Sequence, residues 1–292
     1  MMQAVRRGLI RNLLIVPLLA GGFYVAGCKG DAKTKVETPK SQEVAGQWHG
    51  NRQAAISLTY DDGMATQFQH TFSALRRYNL KATFYLSVGT GETPDQHEAL
   101  SEAAAYGHEL GNHTIFHPCL GAATFPDRTW VAPERDLNTY TVERLTDELT
   151  VANRLIAAID GKSRRSFAYP CNDRKVGQGE DYVSALSDLF PSARTVSSGV
   201  VTRSELAANP YMIPSFGVNE HSGADLIAYV DSIIAKGGYG TITFHGIGGD
   251  WLSVSKEAHE TLLAYLDDNR DVIWVDTVLA ISDYARFAEQ DD

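Results

Sequence analysis

The sequence predicts an α/β fold, a mainly parallel barrel of about seven strands, from three observations. Strand-like and helix-like segments alternate along the chain, as is typical of parallel strands joined by helical crossovers. About seven such units fall in one stretch, which favours a barrel, complete or incomplete, over an open sheet. The length of 292 residues, with 43% hydrophobic and 21% charged residues, suits a single domain of this kind.

The first units are predicted from short apolar runs and helical periodicity. The run AAISLTY at 54–60 predicts a strand, and Phe68, Phe72 and Leu75 then recur on one face of a helix. Two more strands are predicted from ATFYLSVG and HELGNH, with a helical stretch between them and an irregular, proline-containing segment after them. These segments cover 82–89, 95–106 and 108–113.

The later units follow the same alternation. A strongly amphipathic helix is predicted at 142–160, where Gly161 is a typical C-terminal stop. Further strands are expected at 166–170, 193–196, 239–246 and 271–275. Further helices are expected at 181–189, 224–237 and 255–269, with a last helix that ends at Phe287.

The N-terminus predicts a lipoprotein signal peptide over residues 1–27. Three arginines precede an apolar run that is too short to span a bilayer comfortably, and the ending VAGC resembles a bacterial lipobox. In a lipobox the cysteine, here Cys28, is lipidated and becomes the first mature residue. A plain secretory signal and an uncleaved anchor stay open as alternatives.

The remaining chain divides into a tether and a folded domain. Residues 28–52 are polar and poor in large apolar side chains, which predicts a flexible tether, and the catalytic domain is expected at 53–292. This organisation predicts a location in the bacterial cell envelope, lipid-anchored, at the outer membrane or facing the periplasm in a Gram-negative host. The net charge of −10 and the absence of basic clusters argue against nucleic-acid binding. No sequence pattern indicates a protein partner.

Two cysteines lie inside the predicted domain, Cys119 and Cys171, each preceded by a proline. An oxidising compartment favours a disulfide between them. Because the sequence does not fix the distance between their Cα atoms, two buried thiols remain the alternative.

Distinctive polar residues end several predicted strands. Asp61 and Asp62 end the first, His113 and His117 follow the third, and His245 ends a late one. In a parallel barrel the C-terminal ends of the strands open at one mouth, so these side chains are expected to meet there. One carboxylate and two imidazoles can hold a catalytic metal with an open position for water. Taken alone, each motif has an ordinary alternative. The two aspartates can form a turn, His113 and His117 can be a surface or core pair, and His245 can be a histidine of the core.

Three of these motifs, in this order, resemble those of the polysaccharide deacetylase family, carbohydrate esterase family four. They are TYDDG at 59–63, HTIFH at 113–117 and ITFH at 242–245. The resemblance spans roughly Ala54–Asp276 and implies a distorted (β/α) barrel.

The resemblance also implies a role for each motif residue. Asp61 would be the general base, and Asp62, His113 and His117 would hold a divalent metal, zinc by default with cobalt or nickel as alternatives. His245 would be the general acid. The expected reaction is metal-dependent removal of acetyl groups from an acetylated poly- or oligosaccharide, as an N-deacetylase. An O-acetyl esterase of the xylan type and a non-catalytic glycan-binding protein remain alternatives.

The chain departs from the family's third motif, Arg-x-Pro-Tyr. Ala168 stands at the arginine position, so the usual partner of the base is missing there, and Arg174 or Arg165 is the expected replacement. Cys171 stands at the tyrosine position. The backbone N–H of Cys171 is expected to serve the oxyanion, because a backbone donor tolerates a changed side chain.

The fourth motif, an aspartate and a tryptophan beside the acid histidine, is not recognisable. Glu220 and Asp225 are weak candidates for the carboxylate. Three aromatic residues are expected to line the substrate pocket: Tyr169, Trp130 and Trp251. Trp130 lies with Phe125 in an insert at 119–140, where both rings either contact sugar or pack within the loop.

Overall fold

The computed structural model describes residues 48–90 and 93–287 of the chain. The predicted signal peptide, Cys28 and the tether as far as residue 47 lie outside the described residues. Within the described part, no helix combines the length and the apolar character needed to cross a bilayer.

Eight of the ten strands in the described part of the chain form one parallel sheet in the order β7-β4-β3-β2-β1-β9-β8, with β10 also paired to β1. The other two, β5 and β6, form an antiparallel hairpin. The strands are β1 (Ala54–Asp61), β2 (Thr83–Leu86), β3 (Glu109–Asn112), β4 (Phe167–Ala168), β5 (Lys175–Val176), β6 (Glu180–Asp181), β7 (Ala193–Arg194), β8 (Ser215–Gly217), β9 (Tyr239–Phe244) and β10 (Ile273–Val275).

The two edges of this sheet meet and nearly close it into a barrel. Arg194 of β7 forms a parallel bridge with Ile213, just before β8. The backbone N–H of Thr195 donates to the Ile213 carbonyl at 2.8 Å, and that of Ser215 donates to the Ser197 carbonyl at 3.0 Å. The prediction of a barrel with about seven strands is therefore confirmed.

The helices surround the barrel, and the longest of them, α3, ends where its local sequence predicts. They are α1 (Phe72–Arg77), α2 (His97–Tyr106), α3 (Val142–Asp160), α4 (Arg203–Ala208), α5 (Gly223–Lys236), α6 (Lys256–Asp268) and α7 (Val278–Phe287). In α3 the Thr141 side chain caps the N-terminus, and Gly161, with a φ of 70°, ends the helix in the left-handed region. The apolar face of α3 buries Leu145, Leu149 and Ile156.

Strand β1 separates two environments because successive side chains of a strand point to opposite faces. Ile56, Leu58 and Tyr60 belong to the main hydrophobic cluster, together with buried side chains of α5 and α6. From Ser57 onward the alternate positions are polar and lie on the barrel interior, where Ser57 accepts a hydrogen bond from the Tyr239 hydroxyl at 2.9 Å. Asp61 is the last of these interior positions, so the strand places its carboxylate at the mouth.

Several elements differ from the sequence prediction. Strand β8, helix α4 and the β5–β6 hairpin were not predicted, since each is very short. The predicted helix at 181–189 is a short 3-10 helix, Val183–Asp188.

Packing also begins before the predicted boundary at residue 53. The Trp48 ring is buried and its Nε1 donates to the Gly237 carbonyl at 3.2 Å, so at least residues 48–52 of the predicted tether lie against the barrel.

Candidate active site

Two neighbouring aspartates diverge at the end of β1. The strand ends at Asp61, and Asp62 adopts a φ of 73°, in the left-handed region that aspartate tolerates better than most residues. Its backbone N–H donates to the Tyr85 carbonyl at 3.0 Å, which ties the turn to β2. This turn directs the two carboxylates toward different neighbouring residues, although the aspartates are adjacent in sequence.

Asp62 faces two histidines. Its Oδ1 lies 3.5 Å from Nε2 of His113 and 3.5 Å from Nε2 of His117. His113 follows β3 directly, whereas His117 lies in the loop beyond it with a φ of 53°. Both carboxylate oxygens of Asp62 are buried and have no hydrogen-bond partner among the described residues. The three groups could hold a metal ion together.

The protonation states favour cation binding. Nδ1 of His113 donates to the Ala168 carbonyl at 2.8 Å, which leaves the lone pair on Nε2, the nitrogen that faces Asp62. Burial lowers the pKa of His113 to about 3 and also lowers that of His117, so both imidazoles are neutral near pH 7. Burial, together with the adjacent charge of Asp61, raises the pKa of Asp62 to about 7.

These residues therefore fit a divalent cation. A buried carboxylate without partners is costly, and a positive ion between it and two neutral imidazoles would offset that cost. Two histidine nitrogens and one carboxylate are a common protein ligand set for catalytic zinc.

Asp61 has a different partner. It is buried, and its Oδ2 accepts a hydrogen bond from Nη2 of Arg194, a fully buried residue. Arg194 is held in turn by Thr243, whose Oγ1 accepts from Nη1 at 2.6 Å, and its guanidinium lies 5.0 Å from the centre of the Tyr85 ring. Burial alone would raise the pKa of Asp61, but the Arg194 guanidinium, together with His113 and His245, outweighs burial and the net pKa is lowered. Oδ1 has no partner in the described part of the chain.

The expected replacements for the missing arginine are wrong. Arg165 is buried against the Leu110 carbonyl and Asp160, while Nη1 of Arg174 contacts Sδ of Met212 at 3.2 Å. Arg194, from the next strand of the sheet after β4, occupies the place beside the base. An arginine inside the short predicted strand at 193–196 was the signal, because a buried arginine requires a partner.

His245 follows β9 and completes the group. Its Nε2 lies 3.9 Å from Oδ2 of Asp62, and its ring centre lies 4.7 Å from that of Trp251. The Gln67 side chain donates to the Asp61 carbonyl at 2.6 Å and to the His245 carbonyl at 3.0 Å, which fixes the two strand ends together.

Nδ1 of His245 is buried and lacks a hydrogen-bond partner among the residues described. Neither candidate for the fourth motif supplies one. Asp225 caps the N-terminus of α5 through Ser222, and Glu220 is exposed.

An open cleft of about 730 Å³ is lined by the five candidate catalytic and metal-binding residues, Asp61, Asp62, His113, His117 and His245. Trp130 and Trp251 line it and are 63% and 52% exposed, so both rings are accessible to a ligand. Tyr169 also borders the cleft but is almost fully buried, and its hydroxyl donates to the Tyr211 carbonyl at 3.1 Å. The centre of the Phe125 ring lies 4.2 Å from Cζ of Arg128 in the same insert. Of the two alternatives for Phe125, this contact favours packing within the loop.

Cys119 and Cys171 form a disulfide, with Cα atoms 5.8 Å apart. Of the two alternatives left by the sequence, the disulfide is therefore present. Cys171 lines the cleft and has a φ of 54°, unusual for a residue other than glycine.

The geometry accords with a known protein family. The sequence model described as Polysaccharide deacetylase matches residues 49–179, which include both aspartates, both Asp62-facing histidines and Cys171. Over these residues the chain is similar to the polysaccharide deacetylase family. His245 lies beyond the matched residues.

Individual relatives match more distantly. The chain is 26% identical over 121 residues to the peptidoglycan-N-acetylmuramic acid deacetylase PdaA of Bacillus subtilis (strain 168), covering 41% of this chain and 38% of that protein. It is 22% identical over 263 residues to a gellan lyase of Bacillus sp, covering 84% of this chain but 10% of the lyase. The chain thus spans well under two thirds of either relative.

The fold has a counterpart among solved structures. A Mycobacterium smegmatis protein described as a polysaccharide deacetylase aligns with a TM-score of 0.57 and 12% identity, over 83% of this chain and 93% of that one. At this identity the likeness concerns the fold alone.

Proposed function

We propose that the protein is a metal-dependent hydrolase that removes N-acetyl groups from an acetylated poly- or oligosaccharide. The observation that carries the proposal is the partnerless buried carboxylate of Asp62 between two neutral imidazoles, beside an aspartate held by a buried arginine. The match of residues 49–179 to the polysaccharide deacetylase model supports the reaction class. The exposed tryptophans of the cleft supply flat apolar surfaces of the kind that sugar rings contact.

Asp62, His113 and His117 would hold the cation, zinc in the first instance, with cobalt or nickel as alternatives. The bound cation would supply Lewis acidity, which polarises an acyl carbonyl and acidifies water. Asp61 accepts the proton of the attacking water through Oδ1, while Arg194 keeps the carboxylate ionised. The backbone N–H of Cys171 donates to the oxyanion. One such donor is worth about 2.7–4 kcal/mol in known enzymes.

His245 delivers a proton to the leaving amine. Its Nε2 is the nitrogen near Asp62, and thus the one nearest the reacting group. An amine is a poor leaving group unless it is protonated, so N-deacetylation depends on this step.

O-acetyl ester hydrolysis of the xylan type is the second candidate. The observation that favours it is the partnerless Nδ1 of His245, because an imidazole acid usually has a carboxylate or carbonyl that fixes its orientation. An alkoxide leaves more readily than an amide nitrogen, so an ester makes less demand on this histidine.

The protein would act in the bacterial cell envelope, attached by lipid at Cys28. The lipobox-like sequence supports the anchor. A relative that is a peptidoglycan deacetylase supports an extracytoplasmic glycan as substrate.

The test is acetate release from chitin oligomers, peptidoglycan and acetylated xylan, before and after chelation and with metal added back. We expect chelation to abolish release and the added metal to restore it, with N-acetylated glycans preferred. Release from xylan alone would favour the esterase. No release from any substrate with metal present, together with retained glycan binding by Asp61→Asn, would favour a non-catalytic glycan-binding protein.

A variant separates the metal ligands from the rest of the site. His113→Ala should lose bound metal as measured by elemental analysis, whereas His259→Ala, which changes another buried histidine bonded to the Tyr60 hydroxyl at 2.7 Å, should retain it. One equivalent of metal in His113→Ala would refute the ligand assignment.

A further inference from the structure

We propose that the Cys119–Cys171 disulfide positions His117 against the oxyanion-binding turn, which makes metal affinity and turnover depend on its oxidation. This inference rests on the proposed function. The bond joins the loop after β3 to the turn after β4, and both segments line the cleft.

The first end of the bond lies beside a metal-ligand candidate. Cys119 is two residues beyond His117, fully buried, with Sγ 3.5 Å from Nδ1 of the His117 ring. The other nitrogen of that ring, Nε2, faces Asp62. The sulfur therefore contacts the side of the imidazole opposite to the candidate metal position.

His117 has few other restraints. Its backbone lies outside every strand and helix, and its N–H donates to the Thr114 hydroxyl at 2.9 Å. His113 differs, because it directly follows β3 and its ring is bonded to the Ala168 carbonyl. Loss of the disulfide should thus displace His117 much more than His113.

The second end lies in the turn Pro170–Asn172, where Cys171 adopts its left-handed conformation. Strands β3 and β4 pair only through Asn112 and Phe167, so ladder hydrogen bonds do not extend to this level. The covalent bond is reinforced by Asp173, whose Oδ2 accepts from the Leu120 N–H at 2.8 Å and from Arg128 at 2.6 Å.

Cys119 is also anchored to the insert. Its N–H donates to the Arg135 carbonyl at 3.2 Å, and its carbonyl accepts from the Leu137 N–H at 2.9 Å. The disulfide thus holds one wall of the cleft at a fixed distance from the turn that carries the oxyanion donor.

Reduction by a dithiol would release this restraint. The dithiol passes two electrons and two protons to the pair; the sulfur–sulfur bond breaks, Cys119 and Cys171 become thiols, and the reductant becomes a disulfide. The barrel strands are not cross-linked by this bond, so the fold should persist.

The experiment compares the oxidised full-length protein, the same protein after dithiothreitol treatment, and a Cys119→Ser/Cys171→Ser variant. Zinc affinity is measured by chelator competition, turnover by acetate release, and folding by circular dichroism. We expect zinc affinity to fall about 10- to 100-fold in both altered forms, as when groups that orient a metal ligand are lost. We also expect kcat to fall with little change in KM, and reoxidation to restore both values.

Leu186→Ala provides the control, since it removes a buried side chain from a second hydrophobic cluster, which also contains Leu145 and Phe167, without touching the disulfide. It should lower the melting temperature yet leave zinc affinity unchanged. Zinc affinity within twofold of the oxidised protein in both altered forms would overturn the inference. If the oxidised protein binds zinc but releases no acetate, the proposed function fails while the affinity comparison still tests the disulfide.

Discussion

The ion pair between Arg194 and Asp61 allows a sharp test, the substitution Arg194→Met. Both side chains are buried, and removing the guanidinium leaves Asp61 with a charge that burial disfavours. Breaking a buried pair by removing one partner costs about 3–5 kcal/mol of the free energy of unfolding. We expect a loss of this size near pH 7 in metal-free protein, where no cation can take over the role of Arg194.

The loss should depend on pH. In the wild type the pKa of Asp61 is lowered, so its stabilising effect is present above the unfolded-state pKa of about 4 and is lost as pH falls through the folded-state pKa. In Arg194→Met the largest opponent of burial is lost, so the pKa of Asp61 should rise. The difference in stability between the two proteins should therefore be largest at neutral pH and shrink toward about pH 4, where Asp61 of the variant is protonated.

Urea denaturation of both metal-free proteins across this pH range measures the effect, and the pH–rate profile of the metal-loaded proteins measures its consequence for catalysis. The acidic limb of the profile should move to higher pH in Arg194→Met. Arg165→Met is the matched control, because Arg165 is equally buried and paired with Asp160 away from the cleft. A control profile that shifts equally, or an Arg194→Met profile that stays in place, would refute the assignment of Asp61 as the base.

Three further outcomes are expected. His245→Ala should retain metal by elemental analysis but lose turnover by about 10²–10⁴, and retained turnover would remove this residue from the mechanism. Trp130→Ala should raise KM for oligosaccharides about 2- to 12-fold, the equivalent of about 0.5–1.5 kcal/mol of ring contact. Phe125→Ala, in the same insert but outside the cleft, should leave KM unchanged; equal KM values for the two variants would contradict this role. Trp48→Ala should lower the free energy of unfolding by about 3–5 kcal/mol in urea titrations, and a loss below about 1 kcal/mol would show that Trp48 contributes little to packing.

Sequence was sufficient for the parts of the molecule with strong local signals. The β1 run, the amphipathic α3 and the strand-ending motifs around Asp61 and His113 each carry a pattern that a single element explains. The alternation of these elements made the barrel predictable. Because parallel strands end at the same mouth, the grouping of the strand-ending residues was predictable as well. Short elements such as β8 carry too few residues for any periodicity.

The partner of the base was not predictable from the motif position. The arginine side chain is long, so it can reach Asp61 from several neighbouring interior strand positions. Its position in space, and not its position in the sequence, therefore decides the pairing. Ala168 and Arg194 lie on adjacent strands at paired register positions. Only the tertiary structure shows that the arginine paired with Asp61 lies on β7, one strand away from the motif position on β4.

The seam between β7 and β8 determines the order in which heat should damage the molecule. Its backbone hydrogen bonds join only residues 193–197 to residues 210–215 of the described chain, and regions joined over so short a length open at lower free energy than the central strands. Arg194 lies on this seam, whereas Asp62 and His113 lie beside the long ladder of β1, β2 and β3. Warming should therefore disrupt the pairing of Arg194 with Asp61 while the metal ion is still bound. Activity should then be lost at a lower temperature than either the metal or the circular-dichroism signal.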